Sequence, residues 1–448
     1  MNITFRDHKV YVDRNTKNEY PQLSIALAVV LLYLSPFVST WLAVPAMAIC
    51  VYRMLRFDAK VFATDFGVLL PLSTLTKLPN IPALFVYWVL LAGVWYFVRG
   101  GLRKSVSFML LIVLANYLLT RMQMQINPLV LFFGPLFVVC LILPKQDERS
   151  AERTARMFIS SLIVSSIYAF ALQNTAPIRQ ICGADVYAFV GSSVKRFKGL
   201  FQDPNYYMTL VVIALALLMK MKECKLITMR QFIFQGLVLM AFGIITYSKT
   251  FLIVFVLLGM MYVLWQFWSR KIVSGMAWIV LAIVAVVVIL FSKNSPFEVI
   301  IERFVRAKTI RDLTTGRSEL FLYYWNAITH DMKSFFFGRG LAATALWRDP
   351  HNIYLEAMYY LGAVGLGLVL SVCIALAVEA KARVARAAQQ HWIARYLALI
   401  MLFVLYCTLH GLFQVAFYGE LLLAMLSLMI TKKQEELPEE NPEEGKES

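Results

Sequence analysis

Charge is scarce in this chain. Asp, Glu, Lys and Arg make up 16% of the 448 residues, whereas 60% are hydrophobic. With a mean hydropathy of +0.67, that balance excludes an ordinary soluble globular protein, because too little polar surface exists to cover a core of this size. Paired cysteines are also missing. The six cysteines stand at Cys50, Cys140, Cys182, Cys224, Cys373 and Cys407, none in a C-x-x-C pair, and only Cys182 lies clearly outside an apolar run or a basic link. A disulfide framework and a thiolate metal site are therefore not expected. No D-x-D and no H-E-x-x-H occurs, so the expectation is chemistry without a metal or other cofactor. No small-residue cleavage site follows the first apolar run, so no cleavable signal peptide is expected.

What is present is apolar sequence in blocks. The runs 23–38, 85–98, 130–143, 251–265 and 278–291 are long enough to cross, or nearly cross, a hydrocarbon layer about 30 Å thick. Their backbone groups find partners in lipid only as helices. The reading is an all-α, polytopic helical membrane protein. The net charge of +16 would point to nucleic acid in a soluble chain. Here it sits largely in short links at 53–60, 99–104, 145–156, 220–230, 270–271, 381–395 and 432–433, where it orients helices instead, so no nucleic-acid partner is expected. Placing every link on the cytoplasmic side requires about fourteen spans, with both termini inside. The weakest is 61–78, which contains Asp65; as a re-entrant piece it lowers the count toward twelve.

The organisation that follows is a cytoplasmic segment 1–20, transmembrane helices over 21–291 with an outer segment at 177–204, and a large extracytoplasmic loop 292–350. C-terminal transmembrane helices over 351–431 and an acidic, disordered cytoplasmic tail 432–448 complete it. Basic residues on the outer side run against the orientation bias. The loop nonetheless carries nine basic and six acidic residues, and the outer segment sets Arg179, Lys195, Arg196 and Lys198 against Asp185 and Asp203. Each alone is explained by solvation or a local ion pair. Together they point to an anionic ligand such as a phosphate or diphosphate.

Four constellations could act on it. In Lys195-Arg196-Phe197-Lys198-Gly199-Leu200-Phe201-Gln202-Asp203-Pro204-Asn205, Asp203 or Asn205 caps a helix that Pro204 opens, while Arg196 offers a permanently charged fork for phosphate oxygens. Lys249 stands between Ser248 and Thr250 at the junction of two apolar runs. It either snorkels to the interface or supplies a second positive contact. In Thr315-Gly316-Arg317-Ser318-Glu319, Thr315 or Ser318 caps an amphipathic helix whose apolar face is Leu320, Tyr323, Tyr324, Ala327 and Ile328, lying along the membrane over a cavity. Arg317 strengthens the positive end of that helix. Finally, Asp349-Pro350-His351-Asn352 leads into an apolar run that contains Glu356, placing His351 where an imidazole can titrate near neutral pH. Lys195, Asp203, Asn205, Asn352 and Glu356 are supporting candidates. A departing diphosphate needs no general acid, so one base for an incoming hydroxyl and fixed cations for the phosphates form a sufficient set.

With these motifs in this order over residues 195–367, the chain resembles the bacterial O-antigen ligase and polymerase family of membrane glycosyltransferases. The matching signals are Arg196-Phe197-Lys198-Gly199-Leu200-Phe201 through Pro204-Asn205, the turn Ser248-Lys249-Thr250, Gly316-Arg317-Ser318, and His351-Asn352 with Leu355 and Gly362. The resemblance implies a GT-C-like bundle of about 12–14 spans in the bacterial cytoplasmic membrane. It further implies metal-independent, inverting transfer of a glycan from undecaprenyl diphosphate to a sugar hydroxyl on the outer face. His351 would be the base and Arg196 would bind phosphate. Lys249 stands where the family usually has arginine, keeping charge but losing the fork. Implied partners are the lipid-linked oligosaccharide donor, a glycan or lipid acceptor, membrane lipids, a chain-length regulator and a flippase. Asp-Pro-Asn-Tyr and Asp-Pro-His-Asn favour a polymerase over a ligase by analogy. A transporter of lipid-linked sugars is the rival class. It calls for broken helices, mid-membrane polar groups and repeated halves, whereas the sequence shows no convincing internal repeat and its spans are poor in buried charge apart from Asp65.

Overall fold

The computed structural model describes residues 3–6, 9–12, 22–79, 83–100, 136–182, 186–189, 192–201, 203–268, 316–340, 352–382 and 415–431, with single positions at 270, 273, 275, 276, 298, 305 and 309. Helices dominate. They are α1 (Gln22–Leu34), α2 (Ala43–Arg56), α3 (Ala59–Leu69), α4 (Leu84–Gly100), α5 (Glu148–Leu172) and α6 (Ala176–Cys182). After these come α7 (Pro204–Glu223), α8 (Met229–Ile244), α9 (Lys249–Trp268), α10 (Arg317–Thr329), α11 (Met332–Phe337), α12 (Ile353–Ala382) and α13 (Val415–Ser427). Three of them, α5, α7 and α12, are long and apolar enough to cross a membrane, an architecture compatible with a helical membrane protein. Among the described residues, two short antiparallel hairpins, Ile3–Arg6 with Lys9–Val12 and Val186–Phe189 with Ser192–Lys195, stand beside the helices. An all-α reading does not anticipate them. Their alternating β-branched and aromatic residues suit a pleated ribbon better than a helix.

Helix starts follow from local chemistry. Asp147 and Ser150 form a reciprocal capping box at α5, Thr228 and Gln231 another at α8, and Asp58 caps α3. The outer faces of the bundle are apolar. In α1, Leu23, Leu27, Val30 and Leu34 are exposed at helical spacing while Ile25, Ala28 and Leu32 are buried opposite. Tyr87, Leu91, Val94 and Val98 repeat the pattern on α4, as do Ile253, Val256, Leu257, Met260 and Leu264 on α9. Exposed apolar stripes on helix after helix are what a lipid-facing surface requires and what a water-facing one avoids. α7 is the exception, because it is buried nearly all round at the centre of the bundle.

Three of the basic links, 53–60, 145–156 and 220–230, meet at one end. Lys60 pairs with Asp147, Arg156 donates to the Leu226 carbonyl, Thr431 donates to Glu148 at 2.6 Å, and the Cys224 thiol contacts the Ile430 carbonyl. These three links and the segment that follows α13, distant in sequence, thus share one face. α7 leaves that end at Glu223 and reaches the other at Pro204, about 30 Å away for a helix of its length.

Arg53 departs from its expected place in a solvated link. Its side chain is fully buried, with 0% exposure against 1% for Asp65, and the two form a fork at 2.7 and 2.8 Å. The 61–78 segment carries the acidic partner of that pair. It is α3 continued by the 3-10 turn Leu70–Thr76, and most of it is buried among its neighbours. Charge inside the bundle is also more plentiful than expected, since Lys198, Lys220, Glu356 and Glu420 are buried as well.

Candidate functional site

At the Pro204 end of α7 the chain brings together two of the four motifs. Gly199 has φ +59°, and a Cβ there would stand 2.5 Å from the Tyr207 ring, so only glycine lets the 195–201 segment lie against α7. Phe197, Leu200 and Phe201 are buried. Phe197 stacks on Phe242 and meets Tyr207 edge-on, and the Tyr207 hydroxyl lies 2.6 Å from Ser166. The apolar members of the motif are therefore anchors, and Arg196 is left for polar work.

The Phe197 amide donates to the Ile245 carbonyl at 3.0 Å, which ties this segment to the turn between α8 and α9. Arg196 Nε donates to the Thr246 carbonyl at 2.8 Å, and its Nη2 reaches Asn205 Oδ1 at 3.5 Å. The same Asn205 oxygen accepts from Ser248 Oγ at 3.3 Å. Both of these acceptors for Arg196 are neutral oxygens, and they hold the guanidinium in place. Asp203 caps α7 through the Asn205 amide at 2.6 Å. Of the two capping candidates, Asp203 does the capping and Asn205 turns its side chain to the arginine.

Tyr247 holds φ +49°, an uncommon conformation for a residue with a bulky side chain. It reverses the chain so that Ser248 lies inward and Lys249 opens α9. A cation in the first turn opposes the preference set by the helix dipole. Lys249 adds to the positive potential of the N-terminus, and so does Arg317 as the first residue of α10. At α10, Ser318 does not serve as the cap. Gly316 takes that position in the left-handed conformation with no side-chain bond, Ser318 lies within the first turn, and Thr315 lies outside the described residues. The apolar face of α10 is largely as expected, with Leu320, Tyr324 and Ile328 buried and Ala327 partly so, but Tyr323 is exposed.

His351 lies outside the described residues. Its neighbour Asn352 caps α12, accepting from the Leu355 amide at 3.0 Å, and Glu356 is buried one turn further on. Lys195 is exposed, and Lys198 is the buried cation of its segment. Asn205, Ser248 and Thr246 thus join Arg196 in a cluster. Sequence spacing signals only the nearness of Asn205 to Arg196, because the contact with 246–248 spans more than forty residues. Among the described residues no group of three His, Cys, Asp or Glu side chains converges to hold a metal. No known protein family, curated protein or solved structure matches the chain.

Proposed function

We propose that this protein is a multi-pass glycosyltransferase of the bacterial cytoplasmic membrane. It transfers a glycan from undecaprenyl diphosphate to an acceptor sugar hydroxyl on the outer face, polymerising repeat units of a surface polysaccharide. The observation that carries this reading is the convergence of Arg196, Asn205 and Ser248 beside Lys249, from segments far apart in sequence. A forked cation fixed by neutral oxygens, next to the start of a helix that itself opens with a lysine, suits a diphosphate. The meeting of three basic links at the opposite end supports placing this cluster on the outer side. His351 deprotonates the acceptor hydroxyl, Arg196 and Lys249 receive the departing diphosphate, and Arg317 adds charge from the loop. About 12–14 spans follow from the same orientation.

The test is transfer by purified protein in liposomes given a lipid-linked repeat unit. Wild-type protein lengthens the glycan without added divalent ion, and His351→Ala and Arg196→Ala lose turnover. Full turnover in either variant removes the assigned roles. A ligase that moves finished glycan to a lipid or protein acceptor uses the same groups, and mass analysis of the product separates it from a polymerase. Transport of lipid-linked sugars is the second reading. It is favoured by the break in α12 at Gly362, by the interrupted 59–76 segment and by the buried Glu420. Movement of a labelled donor across the bilayer without change of glycan length would establish it instead.

A further inference from the structure

Two glycines far apart in the chain share one rare backbone conformation and lie against each other. Gly338, after α11, has φ 73° and ψ −176°, and Gly362, inside α12, has φ 71° and ψ −179°. That region is open essentially to glycine alone. Space gives a second reason. A Cβ on Gly338 would lie 2.5 Å from the Gly362 nitrogen, and one on Gly362 would lie 2.4 Å from the Phe336 carbonyl carbon. The break at Gly362 interrupts the i to i+4 bonding of α12, so carbonyls just before it need other donors. The amides of Arg339 and Gly340 supply them, donating to Tyr359 and Tyr360 at 2.8 and 2.9 Å.

Arg339 then extends the contact to α10. Its Nη2 donates to the Ala327 carbonyl at 3.1 Å, in the last turn of α10, where a cation suits the helix dipole. Its guanidinium lies 5.8 Å from the centre of the Tyr359 ring, and Tyr359 meets Tyr324 of α10 edge-on at 5.0 Å. Backbone, cation and rings thus bind α10, α11 and residues 353–361 at a single point. The elements so joined carry Arg317 at one extremity and Asn352 and Glu356 at another.

We propose that Gly338, Arg339 and Gly362 are positioning residues. They make α10, α11 and the first half of α12 one rigid body, set off from residues 363–382 by the Gly362 break, so that Arg317 and the 352–356 turn are presented to the substrate together. The rigid-body claim stands on the geometry, and its consequence for turnover rests on the glycosyl-transfer reading.

The test measures amide hydrogen exchange and transfer kinetics on the full-length protein in nanodiscs. Gly362→Ala is expected to speed exchange at least tenfold in the peptides covering α10, α11 and 353–361 alike. Arg339→Met keeps the backbone bonds and is expected to release α10 alone, with Arg339→Lys restoring part of its protection. Where wild-type protein transfers glycan, Gly362→Ala is expected to lower kcat about tenfold or more while the KM for the lipid-linked donor stays within threefold, because the Arg196 cluster is untouched. Faster exchange confined to residues 339–340, or an unchanged kcat with the body loosened, overturns the proposal. Should wild-type protein transfer nothing, the glycosyl-transfer reading falls with the positioning role, and the exchange pattern still decides the rigid body.

Discussion

Breaking the Arg53–Asp65 pair tests the packing of the bundle directly. Both partners are buried, and the guanidinium is satisfied on three sides. It forks onto the carboxylate at 2.7 and 2.8 Å, its Nη1 donates to Ser24 at 2.5 Å, and it lies 5.6 Å from the Phe57 ring centre. Removing one member of such a pair strands a buried charge at a cost of about 3–5 kcal/mol, whereas replacing both with apolar residues is often neutral or stabilising. Asp65→Asn preserves shape and strands a guanidinium that cannot lose its proton. A chain of this length shifts its melting midpoint by about 1 °C per kcal/mol, so Asp65→Asn is expected to melt about 3–5 °C lower in detergent. The double variant Arg53→Met with Asp65→Leu is expected within about 1 °C of wild type or above it. The reasoning is refuted if Asp65→Asn melts with wild type, or if the double variant falls as far as Asp65→Asn. The same measurement bears on transport, because a pair that only joins α2 to α3 can be made apolar without loss of function.

Three further outcomes follow from particular residues. Asn205→Ala is expected to raise the donor KM several-fold, about the worth of one weak hydrogen bond to a charged group. Asn205→Asp is expected to raise it more, by placing a negative charge against Arg196, and steady-state kinetics on the lipid-linked donor separates the two. Gly199→Ala meets both a left-handed backbone penalty of about 1–2 kcal/mol and an overpacking cost of about 1–3 kcal/mol against Tyr207; a melting midpoint equal to wild type would contradict this. Asp331 caps α11, and the bond from the Ser334 amide, helped by the Ser334 hydroxyl, holds its carboxyl below the usual carboxylate range. That cap is present above the unfolded carboxylate value, about 3.9, and is lost as pH falls through the lower folded value. Exchange protection of α11 is therefore expected to drop below about pH 4 in wild type and to stay level in Asp331→Asn.

Local chemistry was readable from sequence, and long-range pairing was not. The helix opened by Pro204 and capped by Asp203, and the inward face Leu320, Tyr324 and Ile328, follow from spacing within one or two turns. Arg53 looked like a topogenic charge because the rule that reads basic links counts residues without asking whether an acid twelve positions on lies within reach. Asp65 carried the signal, as a lone carboxylate in an apolar run calls for a buried cation, and Arg53 is the arginine on the preceding helix able to meet it. The Arg196–Thr246 bond had no such local sign. It depends on α7 and α8 running back to the same end of the bundle, and thus on a topology that charge counting sets only approximately. Gly338 and Gly362 show a further limit. A glycine inside an apolar helix reads as a small packing residue, and nothing in the sequence around Gly362 marks a break. Only the partner segment at 338–340, whose amides take over the carbonyls freed by the break, makes that conformation stable. A residue whose conformation is stabilised by a distant segment becomes legible only when both segments are seen together, and that is why exchange and turnover should respond jointly at these two glycines.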